Sequence, residues 1–330
     1  MDNRYFFLGI DVSKEYLVVA SSDRQTKSFL NSAHGVSKLV KWASDNCDGR
    51  QPWFVMESSG AYSIRPATQL CGNHGARVSI LNPGRVKAHG KACGIRSKTD
   101  PADAKLIRSY AVKHHDKLHP WKPAPEAYRR LKHLVDQVDF FNKQIRRIEN
   151  RMEAQEFLEA GHQIEKINQQ VIRGIERQIG KLEKLMDELV AADDQLDAQI
   201  KLLVTIKGVA KKSARQILAL TRGAITEYTG NELTAFAGLG PAQRQSGTSL
   251  HGHSYIDKQG CARLRGILWM CSLSAAESNQ ALKKFYQRLI TRENNPLTKK
   301  QARVAVMRKL LLLVRAVLVS GKTFDPQMNC

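Results

Sequence analysis

Acidic side chains are scarce in this chain. Its 330 residues carry 31 Asp and Glu against 52 Lys and Arg, a net charge of +21, with a pI near 9.9. That imbalance argues against a basic partner and points to a polyanion, for which nucleic acid is the usual case. Paired cysteines are missing too. Cys47, Cys71, Cys93, Cys261, Cys271 and Cys330 form no CxxC and no metal-finger spacing, which excludes a zinc ribbon and a disulfide-stapled secreted module. They read as reduced thiols in a cytosolic protein. Uninterrupted apolar runs are also absent. The stretch Val304–Val319 is broken by Arg308, Lys309 and Arg315, so it reads as a buried amphipathic helix and no membrane partner is expected. Met1-Asp2-Asn3-Arg4 leads directly into a strand pattern, and no secretory signal is expected.

The charge is uneven. Residues 1–120 hold 18 basic and 10 acidic side chains, residues 121–200 hold 13 and 15, and residues 201–330 hold 21 and 6. Three regions are expected at those boundaries, with Trp121-Lys122-Pro123-Ala124-Pro125 as a linker and a near-neutral middle as a structural connector. The last region would meet most of the phosphate.

In residues 1–120 the run Tyr5–Asp11 is a buried strand closing on a carboxylate. Tyr16–Ser22 and Lys27–Leu30 follow at hairpin spacing, so the sheet starts antiparallel. A helix over Val36–Ala43 precedes a second buried strand, Trp53–Glu57, again closing on an acid. A helix through Ile64, Ala67 and Leu70 and a last strand, Val78–Leu81, complete a mixed α/β sheet domain. Arg85, Lys87, Lys91, Arg96 and Lys98 then fall in a Gly-containing stretch that reads as a mobile basic loop able to grip phosphate. Next comes Thr99-Asp100-Pro101-Ala102-Asp103, a helix start. Asp100 is expected as N-cap with Pro101 at the first helical position. Asp100 and Asp103 would lie about one turn apart on one face.

Any one of these acids would mean little. Together, Asp11, Glu57, Asp100 and Asp103 recur where ligands gather in open α/β sheets, at the carboxyl ends of strands and a helix start. In order and strand context they resemble the ribonuclease-H-like nucleases of the RuvC type. That resemblance implies an Asp-Glu-Asp-Asp cluster holding two Mg²⁺, which two-metal phosphoryl chemistry requires.

Beyond the linker, Leu131, Leu134, Val138, Phe141, Ile145, Ile148 and Met152 step by threes and fours, the seam of a coiled coil. Ile164, Ile167, Val171, Ile175, Ile179, Leu182, Met186 and Leu189 continue it beyond Gly161. The two helices could fold back on each other or pair with another subunit.

In the last third, Leu202–Ile217 resembles a helix-hairpin-helix turning on Gly208, with Ala210 at the usual second glycine. Lys207, Lys211, Lys212 and Arg215 would supply charge to a phosphate held by backbone N–H groups. Ala235-Phe236-Ala237-Gly238-Leu239 follows, then Arg244-Gln245-Ser246-Gly247, then Lys258, Arg263 and Arg265; Arg244, Lys258, Arg263 and Arg265 are expected to contact nucleic acid. With these motifs nearly the whole chain resembles the DEDD-type insertion-sequence transposases of the one-ten family, which include the Piv and MooV invertases and are known as bridge-RNA-guided recombinases. The resemblance implies a RuvC-like domain, a central coiled coil and a mainly helical transposase domain. It implies Asp11, Glu57, Asp100 and Asp103 as metal ligands and Ser246 as the nucleophile that forms a phosphoserine link to DNA. It further implies donor and target duplex DNA and a guide (bridge) RNA as partners, and a homo-oligomer, dimer or tetramer, whose sites two subunits could share. The expected location is the bacterial cytoplasm, on the nucleoid. From its residues alone Ser246 is an ordinary turn serine, since a serine needs a base or metal to become a nucleophile. A metal-dependent junction endonuclease without a covalent step, and a non-catalytic basic DNA-binding protein, are the alternative readings.

Overall fold

The computed structural model describes residues 4–95, 99–157, 162–242, 245–246, 250–251, 255–256 and 258–325. The chain divides into two compact units, Met1–Pro123 and Ala124–Cys330.

The first unit runs β1 (Tyr5–Val12), β2 (Tyr16–Ala20), β3 (Thr26–Leu30), α1 (Ala33–Asp45), β4 (Gln51–Glu57), α2 (Ala61–His74), β5 (Arg77–Leu81), α3 (Pro83–Ala92) and α4 (Asp100–Lys113). The five strands lie in the order β3-β2-β1-β4-β5. β1 pairs antiparallel with β2 and β2 with β3, while β4 runs parallel to both β1 and β5. The first hairpin is closed locally: Tyr16 N–H donates to Ser13 Oγ at 3.0 Å, and Ser13 Oγ donates to the Tyr16 carbonyl.

Side chains alternate across the sheet with the period of two that a strand imposes. Phe6, Leu8, Ile10, Phe54, Met56 and Val78 pack on one face with Val36 and Leu39 of α1 and Ala67 and Leu70 of α2. Phe7, Trp53, Val55 and Leu81 pack on the other with Val86 of α3 and Ile107 and Tyr110 of α4. Helices therefore cover both faces of a mixed sheet, as the strand and helix order predicts.

One expected loop is a helix. Asn82 is an N-cap whose side chain accepts from Gly84 N–H at 2.8 Å, and Pro83 takes the first helical position. These cap residues start α3, so Arg85, Lys87 and Lys91 stand on a helix and not on a loop. Arg96 and Lys98 lie outside the described residues. The start of α4 is also one residue earlier than expected. Thr99 is the N-cap, accepting from Ala102 N–H, and Asp100 is the first helical residue.

The second unit is helical: α5 (Glu126–Phe157), α6 (His162–Ala191), α7 (Asp194–Val204), α8 (Lys211–Thr221), α9 (Gly230–Phe236), α10 (Ala262–Ser278), α11 (Gln280–Thr291) and α12 (Lys299–Ser320). Between α9 and α10 lie four two-residue strands, β6 (Pro241–Ala242), β7 (Gln245–Ser246), β8 (Leu250–His251) and β9 (Tyr255–Ile256). β6 pairs with β9 and β7 with β8, both antiparallel, so the inner pair is nested within the outer.

α5 and α6 pack on one another. Their ends nearest the rest of the unit, with Leu131, Val135, Val138, Met186 and Leu189, join one core with α8, α10 and α12. Farther along α6, Ile164, Ile167 and Val171 stay exposed, at 45%, 60% and 46%. α12 is an interior helix, with Val306, Leu310, Leu311, Val314 and Val317 buried. No helix among the described residues is long and apolar enough to cross a membrane.

Candidate active site

The sheet brings the first two acids together. Asp11 and Glu57 share strand parity with Phe7 and Val55, so both are on the face that α3 and α4 cover. Ile10 pairs with Met56 in the parallel register, and the next residue on each strand is Asp11 and Glu57. Asp100 and Asp103 occupy the first turn of α4, which packs across β1.

What lets α4 reach the sheet there is Gly9, a residue without a signal of its own in the sequence. A Cβ on Gly9 would lie 2.2 Å from the Ala104 carbonyl oxygen and 2.4 Å from the Arg108 backbone nitrogen. Glycine permits a helix backbone to touch a strand backbone. Ala104, fully buried, follows Asp103 directly. The close contact therefore sets the height of the helix turn that carries both aspartates.

The electrostatics report the outcome. The Asp11 carboxyl is pushed up to about 6, first by burial, then by the negative charges of Asp100 and Asp103, with a smaller push from Glu57; a hydrogen bond from the Val12 backbone opposes them. Asp11 thus feels all three other acids. As donors, four carboxylates are the hard oxygen ligands that Mg²⁺ prefers. Among the described residues, no three His, Cys, Asp or Glu side chains are drawn into a formed metal cage.

Ser246 is in the other unit. Its backbone belongs to β7, opposite Leu250, while Gly247, Thr248 and Ser249 between the paired strands lie outside the described residues, as does Arg244. The Ala-Phe-Ala-Gly-Leu segment that precedes this ribbon ends α9 and makes a backbone crossing. Gly238, with φ +65°, leaves no room for a Cβ beside Arg265, Lys258 and Gly260. The Cys261 N–H donates to the Phe236 carbonyl at 2.8 Å. The two ends of the ribbon are thereby tied together.

Several expected phosphate-binding cations also pair with protein groups. Lys211 Nζ lies 2.7 Å from Asp187 Oδ1, Arg215 bonds the same oxygen, and Lys212 is 3.9 Å from Glu183. Arg215 is only 7% exposed. Arg263 bonds Asp136 and approaches Asp139, and Arg265 donates to the Ala237 carbonyl at 3.0 Å. These pairs link neighbouring helices, while Lys211 and Lys212 stay exposed. Lys207 is exposed in the turn between α7 and α8, and Lys258 is exposed with φ +58°. Gly208, with φ +102°, would put a Cβ 2.5 Å from Ala275 of α10, so it is held by packing as well as by its turn. Ala210 caps α8 without a side-chain bond.

Two family models match the chain. One, described as a transposase, covers residues 8–159 and takes in all four carboxylates; the other, described as the Transposase IS116/IS110/IS902 family, covers residues 200–287 and takes in Ser246. The protein is therefore a DNA-rearranging enzyme of the transposase class. The pilin gene-inverting proteins of Moraxella lacunata and Moraxella bovis are each 29% identical to it over 328 residues, 98% of this chain and 98% of theirs. An uncharacterized insertion element IS110 protein of Streptomyces coelicolor is 25% identical over 157 residues, 44% of this chain and 38% of that one. The chain belongs to the IS110 family of transposases and DNA invertases.

Proposed function

We propose that this enzyme cuts and rejoins duplex DNA through a serine nucleophile, with Asp11, Glu57, Asp100 and Asp103 holding Mg²⁺. The observation that carries the metal reading is the convergence of the acids: Asp11 and Glu57 lie at the ends of neighbouring parallel strands, and Asp100 and Asp103 are in the first turn of the helix that packs across β1. Confining like charges this way costs stability, and a bound divalent cation offsets the cost. When bound, Mg²⁺ supplies charge neutralisation at the attacking and leaving oxygens. The strand order β3-β2-β1-β4-β5, antiparallel on one side and parallel on the other, supports an RNase H-like (RuvC-like) domain.

In the cutting step the Ser246 Oγ forms a bond to phosphorus and one P–O bond of the DNA breaks. The serine proton ends on the departing deoxyribose oxygen. The phosphodiester becomes a phosphoserine link of similar energy, so a new DNA hydroxyl can reverse the step and rejoin strands without an external energy source. The family resemblance extends the reading to a guide RNA that pairs with donor and target DNA, leaving the protein to hold backbones. The large positive charge supports such a two-polyanion load. The α5–α6 pair is read as a coiled coil. Its exposed Ile164, Ile167 and Val171 support a homo-oligomer, dimer or tetramer, working in the cytoplasm on the nucleoid.

The test is mass spectrometry for a DNA adduct after incubation with Mg²⁺, RNA and DNA. The adduct is expected on Ser246, to be lost in Ser246→Ala and retained in Ser249→Ala. Hydrolysis of DNA with no adduct in the wild type would replace the nucleophile with water.

A further inference from the structure

The helical form of residues 83–92 creates a cleft that the proposed chemistry does not use. On α3, Arg85, Ala88, His89 and Ala92 follow the i, i+3, i+4, i+7 spacing of a single helix face. They form one wall of an open cleft of about 630 Å³. Tyr110 of α4 and His114 at its C-cap, then Asp116, Lys117 and His119, form the rest. Lys87 and Lys91 are on another face of α3 and do not line it.

The lining is cationic and rich in imidazoles, with one acid. The two alanines leave the wall low. The floor is ordered by ring contacts: His89 meets Tyr110 edge-on at 5.5 Å, His114 meets Tyr110 at 4.7 Å, and His89 meets His114 at 5.6 Å. His89, 8% exposed, has its Nε2 3.2 Å from Ser109 Oγ. The segment that supplies Lys117 and His119 is tied to the sheet: Ser79 Oγ donates to the His119 carbonyl at 2.7 Å, and Trp121 N–H donates to the Val78 carbonyl at 2.7 Å. Ordered donors on a fixed frame suit an anion larger than a single ion.

We propose that this cleft is a subsite for the phosphodiester backbone of a nucleic acid, gripped by Arg85 and Lys117 with His114 and His119 as further donors. Its position fits. His114, the C-cap of α4, is eleven residues beyond Asp103, about 16 Å along the helix axis at 1.5 Å per residue. A strand rising about 3.4 Å per nucleotide would bridge the cleft and the carboxylates in roughly five nucleotides. The inference rests on the chain being a nucleic-acid enzyme, but not on the metal or serine assignments.

The experiment uses the full chain and two labelled probes, a mixed-sequence duplex DNA and a folded RNA hairpin, with affinity measured across a salt series. Arg85→Ala with Lys117→Ala removes two exposed cations from the cleft. Lys38→Ala with Lys41→Ala removes the same charge from exposed positions on α1, on the opposite sheet face. The cleft pair is expected to weaken binding about tenfold and to lower the log–log salt slope by roughly two, as for two lost phosphate contacts. The control pair should change binding by less than about threefold, and the difference between the two pairs should be the same with and without Mg²⁺, which separates this subsite from the metal reading. Loss with only one probe names the strand that occupies the cleft. Carbethoxylation of histidines gives a second readout. Nucleic acid should protect His114 and His119 but not His34 and His74, which are on the helices of the opposite sheet face. Equal losses in both double variants, or unchanged binding to both probes with no histidine protection, would overturn the subsite.

Discussion

The backbone of Gly9 touches the carbonyl of Ala104 so closely that a methyl group on Gly9 would sit 2.2 Å from that oxygen. Two residues after Gly9 comes Asp11, and directly before Ala104 comes Asp103. The contact is therefore the ruler that spaces a strand acid from a helix acid. Gly9→Ala should force α4 away from β1, at a cost of about 1–3 kcal/mol, as for overpacking elsewhere. DNA cleavage should be lost even in protein that remains folded. Gly72→Ala, at a helical position with no atom within 4 Å of the new Cβ, should be neutral or slightly stabilising. Thermal melting and strand-cleavage assays on both variants check this; similar melting for wild type and Gly9→Ala would show that the contact has slack.

Removing charge from Asp11 should separate stability from activity. Burial and three neighbouring acids disfavour its ionised form. Asp11→Asn should stabilise the metal-free protein by on the order of 1 kcal/mol, discounted because the side chain is only half-buried, while abolishing cleavage. Mg²⁺ should raise the melting temperature of the wild type through its binding to the folded state, and should raise that of Asp11→Asn much less. Calorimetry with and without Mg²⁺ reads both effects, and an Asn variant that melts lower than wild type without metal would contradict the repulsion.

Arg263 should behave as a brace. Burial alone would raise the Asp136 carboxyl, but hydrogen bonds from Lys132 and Arg263 outweigh it and hold the group below its ordinary value of 3.8. A depressed folded-state value means the pair stabilises the fold above about pH 4 and loses that contribution as acid titrates the carboxylate. Arg263→Ala should cost about 1 kcal/mol near neutral pH, given the pair's partial exposure, and the gap to wild type should shrink below pH 4. Melting curves across pH 3–7 test the sign. A gap that widens in acid would point to a different role.

The basic residues of the α7–α8 hairpin should divide by their partners. Lys207→Ala is expected to lower the salt slope of DNA binding by about one with little change in melting. Arg215→Ala removes a buried guanidinium that bonds Asp187, and it should lower the melting temperature while the slope stays near wild type. If Arg215→Ala lowers the slope as much as Lys207→Ala does, the ion pair opens to admit phosphate.

Much of the first unit was legible because its signals are local. Continuous apolar runs marked β1 and β4, and the strand parity that puts Phe7 opposite Phe6 also assigns Asp11 and Glu57 to one face. Thr99, Asp100 and Pro101 announced α4, with the cap displaced by one residue because threonine and aspartate compete for the same role. α3 was missed although Asn82-Pro83 is a helix start, because its glycines and lysines read as a loop. Its burial of Val86, His89 and Gly90 on one face is supplied by α4, not by its own sequence.

The chain by itself determined which residues could act: four acids at strand ends and a helix start, a basic surplus weighted to the last third, and a serine in a turn motif that resembles its family's. Tertiary structure decided which of them meet. Parallel register put Asp11 beside Glu57, and the missing side chain of Gly9 let α4 bring Asp103 down to them. Asp187, Asp136 and Asp139 took up Arg215, Lys211 and Arg263 from distant parts of the chain. Periodicity and capping are set within a few residues, so sequence reveals them. The neighbours of a charge are set by packing between segments far apart in the chain, and only the folded structure identifies them.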